Sequence, residues 1–359
     1  MGRGDWYEAQ WVSSGVMSAI TSVSFDSQEE LIWTGYQSGS IASHACPELD
    51  RYSSFTAHDT PICDILPLGN SVVSLSQSTL RIHSKGGLRM AGIPASSFQD
   101  AQLLCLSPAR VRSGREPEAV LIGCDMPSMY VYDLEKQQLV KEVSLSQGIS
   151  VIRQSRLVCC GGVRGEISLR DPQSYRVELT VDTGSGMICA MDVKDSLLAV
   201  CGLNSNQYGG LYVDPVIKVY DIRTLRALPS YPFPAGAYRI KFFPMFTSMV
   251  VALSQSGQVM IGDVQTGPAS QQLYQMDLLG EPASAIDLSQ SGEIICLGDG
   301  ASNIREWVDR EPARVNMYSK PTAWPRQPTL RNNHVGWDEE MPLSSVTNLE
   351  IPGSARQKL

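Results

Sequence analysis

The chain has 359 residues, 43% hydrophobic and 18% charged, with a formal net charge of −8, a composition that excludes a disordered or fibrous chain. No apolar run approaches the ~20 residues that span a bilayer as a helix, and the first residues carry no apolar stretch behind a basic one, so neither a membrane span nor a secretory signal is expected. Residues 320–359 hold five basic and four acidic residues, leaving about −9 on the remainder, which argues against direct nucleic-acid binding by the main domain, because phosphate contacts require clustered Lys and Arg.

In chain order, DWYEAQWV at 5–12 is the first segment able to form a strand. The next runs fall into quartets. ITSVSFDS, LIWTGYQSG, SIASHA and RYSSFTA make one, and PICDILPLG, SVVSLSQ, TLRIHSKG and LRMAGI the next. Each run is rich in Val, Ile, Leu or Tyr and bounded by Gly, Ser, Asn or Pro, and no segment holds a sustained 3.6-residue apolar period. The chain is therefore expected to be all-β.

Later quartets share a mark: the third strand closes on an aspartate that opens a turn, at Asp133, Asp171, Asp221, Asp263 and Asp309. The intervals of 38, 50, 42 and 46 residues bracket the ~40–45 of a four-stranded WD40 propeller blade. Ile20 to about Ser319 gives room for seven such units, so the expected fold is a seven-bladed WD40-type β-propeller over 1–319 with a Pro-rich extended tail over 320–359. The outer strand of the last blade has two candidates, ARVNMY at 313–318 and DWYEAQWV. Closure by the N-terminal segment is the expected solution, since pairing the first and last segments removes an exposed edge.

Chemistry-bearing residues are few. His58, Asp59 and Cys63 crowd into AHDTPIC, but a His in this inter-blade turn is expected to be structural, bonded to an Asp and to a Ser or Thr of its repeat, with Cys63 in the core. The four histidines and nine cysteines show no zinc-type spacing; the cysteines sit mostly in apolar strand runs, as free, buried thiols in a reducing setting do. GGVRG at 161–165 lacks the Lys-Ser or Lys-Thr of a phosphate loop and is expected to be a hairpin with Gly at positive φ. DLE at 133–135 occupies the repeat's turn and not a two-metal nuclease site. No catalytic, cofactor-binding or metal-binding residue is predicted. The tail scatters Trp337, Leu343, Leu349 and Ile351 among polar residues and five prolines; it cannot build its own core, and those four are its candidate partner anchors.

LIWTGYQSG, the RYSSFTAH blade end, RIHSKGG and the closing Pro-rich stretch resemble the N-terminal region of the catalytic subunit of the PAN deadenylation complex, the poly(A)-specific ribonuclease. The resemblance covers essentially the whole chain. It implies a cytoplasmic protein in which a WD40 propeller precedes a linker, an inactive ubiquitin-hydrolase-like domain and a 3′ exonuclease that shortens mRNA poly(A) tails with divalent metal. It implies further that residues 320–359 begin the segment that binds a pseudokinase-type regulatory subunit, with poly(A)-binding protein reached only indirectly on mRNA. None of the nuclease acids maps onto these residues, so this chain is expected to be a noncatalytic scaffold. A generic WD40 adaptor, a substrate-recognition or trafficking subunit holding peptides on a propeller face, is the alternative that the fold alone would support.

Overall fold

A computed structural model describes residues 5–98, 101–109, 116–224 and 226–318. Among them, short strands of alternating or wholly apolar residues pair antiparallel with their sequence neighbours, because two to five polar or Gly-bearing residues between runs suffice for a hairpin.

After β1 (Tyr7–Ser13) come seven blades. Blade one is β2 (Ile20–Phe25), β3 (Leu31–Tyr36), β4 (Ser40–Ala45) and β5 (Asp50–Thr56). Blade two is β6 (Ile62–Pro67), β7 (Ser71–Ser76), β8 (Leu80–Ser84) and β9 (Arg89–Ile93). Blade three is β10 (Leu103–Ala109), β11 (Ala119–Cys124), β12 (Ser128–Asp133) and β13 (Gln138–Ser144). Blade four is β14 (Ile149–Gln154), β15 (Val158–Gly162), β16 (Glu166–Arg170) and β17 (Val177–Asp182). Blade five is β18 (Met187–Lys194), β19 (Leu197–Ser205) with a side strand β20 (Leu211–Val213), β21 (Val216–Asp221), and the short outer pieces β22 (Arg226–Ala227) and β23 (Tyr231–Pro232). Blade six is β24 (Arg239–Phe242), β25 (Met249–Leu253), β26 (Gln258–Asp263) and β27 (Gln272–Gln275). Blade seven is β28 (Ala283–Leu288), β29 (Ile294–Asp299) and β30 (Asn303–Val308), and its outer strand is β1.

The ring thus closes through the N-terminal segment, in the register Tyr7↔Val308 to Ser13↔Asn303. The rival segment is not a strand. It packs as an irregular clasp instead: Val315 and Asn316 are buried, and the Asn316 side-chain amide donates to the carbonyls of Asp26 and Glu29.

Second strands such as β3, β11 and β29 are buried along their whole length because blades cover both their faces, whereas β1, β5, β13 and β17 expose alternate residues or more to solvent. Clusters of buried apolar side chains lie between successive blades: one joins Val73 and Leu75 of blade two to Val120 and Ile122 of blade three, and another joins Ile20 and Phe25 of blade one to Ile294 and Cys296 of blade seven. Burying one such side chain is worth ~1.5–3 kcal/mol.

A repeated contact sets the blade spacing. Glycines of the second strands face the first isoleucine of the following inner strand, and a Cβ on Gly35, Gly161 or Gly298 would lie 2.6, 2.9 or 2.6 Å from the Cγ2 of Ile62, Ile188 or Ile20. Every inner strand except β24 also carries a one-residue bulge near its start, as between Ile20/Ser22, Ile62/Asp64, Ile149/Val151 and Ala283/Ala285.

Candidate functional site

His58 sits in the turn between β5 and β6, almost fully buried. Its Nδ1 is 2.8 Å from the Thr79 hydroxyl and its Nε2 2.8 Å from that of Ser74. Both ring nitrogens are thus taken by hydroxyls of blade two, where the expectation had named an aspartate as one partner. Asp59 instead projects into solvent, 3.8 Å from Arg81. Burial, with help from the Arg81 charge, lowers the His58 pKa to about 3, so the ring stays neutral and bridges by donating once and accepting once.

Cys63 meets the core expectation only in part. It occupies the bulge of β6, partly buried, packing against the apolar cluster of blades two and three while also lining the central channel, with its thiol 3.4 Å from the Leu103 carbonyl. Burial pushes that thiol up to about 12, which leaves it protonated and unreactive at neutral pH. His58, Asp59 and Cys63 therefore make no nucleophilic assembly.

The repeat aspartates divide into two groups. Asp133 Oδ1 accepts from the amides of Glu135 and Lys136 at 3.1 and 2.9 Å, and Asp171 Oδ1 from those of Gln173 and Ser174 at 3.2 and 2.6 Å. Asp221 and Asp263 each accept from the amide two residues on, at 2.9 Å. These are Asx turns that shape the hairpin into the fourth strand. Asp309 holds the same sequence position but pairs with its neighbour Arg310, at 3.1 Å. The physical reason is the closure: no hairpin follows β30, since its partner β1 comes from the other end of the chain. GGVRG forms the β15–β16 hairpin, with Gly165 at φ +78°.

The seven inner strands enclose a polar channel, including a cavity of about 310 Å³ lined by Asp64, Asp192 and Asp287 with Arg153 and Lys241. Each aspartate accepts an amide of the next blade's inner strand: Asp64 from Leu106 at 3.0 Å, Asp192 from Phe242 at 2.6 Å and Asp287 from Phe25 at 2.9 Å. Lys241 lies 2.9 Å from Asp287 and Arg153 3.7 Å from Asp192. These carboxylates stitch blade to blade, and burial raises the pKa of Asp64. None of the three was singled out from the sequence. A signal was present in an aspartate flanked by apolar residues in ICDIL, AMDVK and AIDLS. Among the described residues no group of three or more His, Cys, Asp or Glu side chains could hold a metal ion. The proposed anchors Trp337, Leu343, Leu349 and Ile351 lie outside the described residues.

Seven antiparallel blades, a bulge in six of the seven inner strands, a turn histidine bonded into the next blade and aspartates at the third-strand ends define a WD40-type propeller. Within that class the chain belongs to the PAN2 N-terminal family, whose model matches residues 3–308. Similar proteins include the PAN2-PAN3 deadenylation complex catalytic subunits of Schizosaccharomyces pombe, 32% identical over 91% of this chain and 29% of that one, and of Rattus norvegicus, 30% identical over 98% and 28%. The chain spans under a third of the length of these relatives. In fold it is similar to the Neurospora crassa Pan2 WD40 domain, with a TM-score of 0.77 at 22% identity over 88% of this chain and 99% of that one.

Proposed function

We propose that the chain is a noncatalytic protein-interaction scaffold within a cytoplasmic mRNA poly(A)-tail-shortening complex, its propeller supporting the assembly and residues 320–359 beginning the segment that binds a pseudokinase-type regulatory subunit. The observation that carries this reading is the family match across residues 3–308, taken with what the matching relatives are named for. The residues themselves agree: the neutral His58, the protonated Cys63 thiol and the channel aspartates are all engaged in holding blades together. Poly(A) shortening, with its metal, belongs in this reading to the remainder of a longer protein.

The tail's role follows from energetics. Burying each of Trp337, Leu343, Leu349 and Ile351 returns ~1.5–3 kcal/mol, while fixing each backbone residue costs ~1–2 kcal/mol. Four anchors cannot order the fifteen residues from Trp337 to Ile351 without a partner that also satisfies the backbone. The test is capture of the regulatory subunit by the chain. Leu349→Asp with Ile351→Asp is expected to abolish capture and leave the melting temperature of the propeller unchanged; capture that survives both substitutions removes the tail from the account. Steady shortening of polyadenylated RNA by the purified chain with magnesium would overturn the noncatalytic assignment.

A further inference from the structure

Strand β19 runs for nine residues, where the second strands of the other blades run for five or six. Its last three residues pair with β20 and not with β21. A hairpin therefore stands out from blade five at the end of the ring where the inner strands begin, beside the blade-four-to-five connection, whose Gly186 amide donates to Asn204 Oδ1 at 2.8 Å. Its tip is shaped in advance. Asn206 Oδ1 accepts from the amides of Tyr208 and Gly210 at 3.0 and 2.8 Å, the Asn206 amide donates to the Gly210 carbonyl, and Gly209 has φ +79°.

This preformed tip displays apolar side chains. Tyr208 is 88% exposed, Leu211 76% and Tyr212 47%, in a fold that buries Tyr36, Tyr132 and Tyr231 completely. The base of the hairpin is tied to its neighbours through Asn204, but its tip leaves these side chains uncovered, and exposed aromatics on a rigid support are what binding surfaces use. The charge at this end of the ring selects the occupant. Among the described turns there, the exposed charged residues are Asp59, Asp125, Asp277 and Glu281 against Arg164 alone. Leu279, 77% exposed between Asp277 and Glu281, adds another apolar point in an acidic setting.

We propose that the Asn204–Val213 hairpin and the acidic turns at the same end of the ring form a docking surface for a protein segment carrying Lys or Arg next to aliphatic or aromatic anchors. The anchors cover Tyr208 and Leu211, and the basic groups meet the carboxylates, which repel a phosphate backbone. The proposed surface uses none of residues 320–359 and does not depend on the deadenylase reading.

The test pans a random twelve-residue peptide library on the immobilised chain, then measures selected peptides and a 20-nucleotide oligoadenylate by fluorescence anisotropy. The selected pool is expected to be basic with Leu, Ile or aromatic residues. Its members should lose tenfold or more in affinity for Tyr208→Ser with Leu211→Ser, and again for Asp277→Lys with Glu281→Lys. Two variants at distinct sites, each checked for an unchanged melting temperature, keep a folding defect in one from deciding the result. An acidic or uncharged pool, no enrichment, equal binding by both variants, or oligoadenylate binding that the hairpin substitutions abolish would each overturn the proposal.

Discussion

Blade seven and blade three have the same four-stranded plan, and they are held together differently. In blade three each strand pairs with the next strand of the chain, and Asp133 caps the turn into the outer strand with two amide bonds. In blade seven the outer strand arrives from the other end of the chain, no turn exists for Asp309 to cap, and side chains do the tying. Glu8 meets Arg305 at 2.8 Å, Gln10 donates to the buried Glu306 at 2.6 Å, and the hydroxyls of Ser14 and Ser302 lie 2.6 Å apart. A turn fixes register in a hairpin, whereas a strand recruited from afar needs side-chain matches to fix it. The inner ring makes no such distinction: the glycine-to-isoleucine contact and the aspartate-to-amide bond occur at the seam, through Gly298 with Ile20 and Asp287 with Phe25, as they do between continuous blades.

The largest effect should come from breaking the seam. Trp6 is buried against Phe243 with ring centroids 5.6 Å apart, in the cluster shared by blades six and seven. Trp6→Ala is expected to cost ~3–5 kcal/mol, measured by denaturant unfolding; a loss under 1 kcal/mol would mean that the N-terminal segment is an accessory to the ring.

Next is the contact the seam shares with other junctions. Gly35→Ala and Gly298→Ala should each cost ~1–3 kcal/mol through overpacking against Ile62 and Ile20, and the two costs should agree. A much larger cost at Gly298 would show that the seam extends into the inner ring.

The pH dependence is a property of the continuous blades one and two. Burial lowers the pKa of His58 to about 3 and those of His44 and His83 to about 4, while the unfolded chain protonates near pH 6.5. The unfolded state therefore binds more protons in that window. Stability from these groups is fully present above about pH 6.5 and falls as pH drops toward 4, by up to ~1.4 kcal/mol per pH unit for each histidine. Replacing His58 with Gln should flatten the slope by about one histidine's share; an unchanged slope would mean that the ring is solvated.

The smallest effect compares the two aspartate positions directly. Asp133→Ala should cost ~1 kcal/mol through its lost amide bonds, whereas Asp309→Ala should leave the melting curve unchanged. Equal losses would contradict the distinction between capped and uncapped blades.

The strands and the blade count were legible because each is written locally, in apolar runs, turn residues and the recurring aspartate; the closing strand was not, and the choice of 5–12 over 313–318 rested on the general argument that closure removes an exposed edge. The 50-residue interval from Asp171 to Asp221 even carried the extra length of blade five, although its cause, the hairpin around Asn206, required the pairing of β19 with β20 to be seen. What stayed hidden depends on contacts between blades. Cys63 lies in an apolar run, but the bulge of β6 turns it toward the channel. Asp64, Asp192 and Asp287 look like strand interruptions until the next blade's amides are placed against them. Asp309 matches its repeat in sequence and differs only because the chain ends its circuit there.

Hydrogen exchange on the full chain, alone and with the regulatory subunit, tests the central claim most directly. The account predicts that the amides of Tyr7–Ser13 exchange as slowly as those of β13 and β17 in both states, and that residues 337–351 gain protection only with the partner. Free exchange of Tyr7–Ser13 would contradict ring closure by the N-terminal strand, and unchanged protection of 337–351 on binding would contradict the tail as the partner segment.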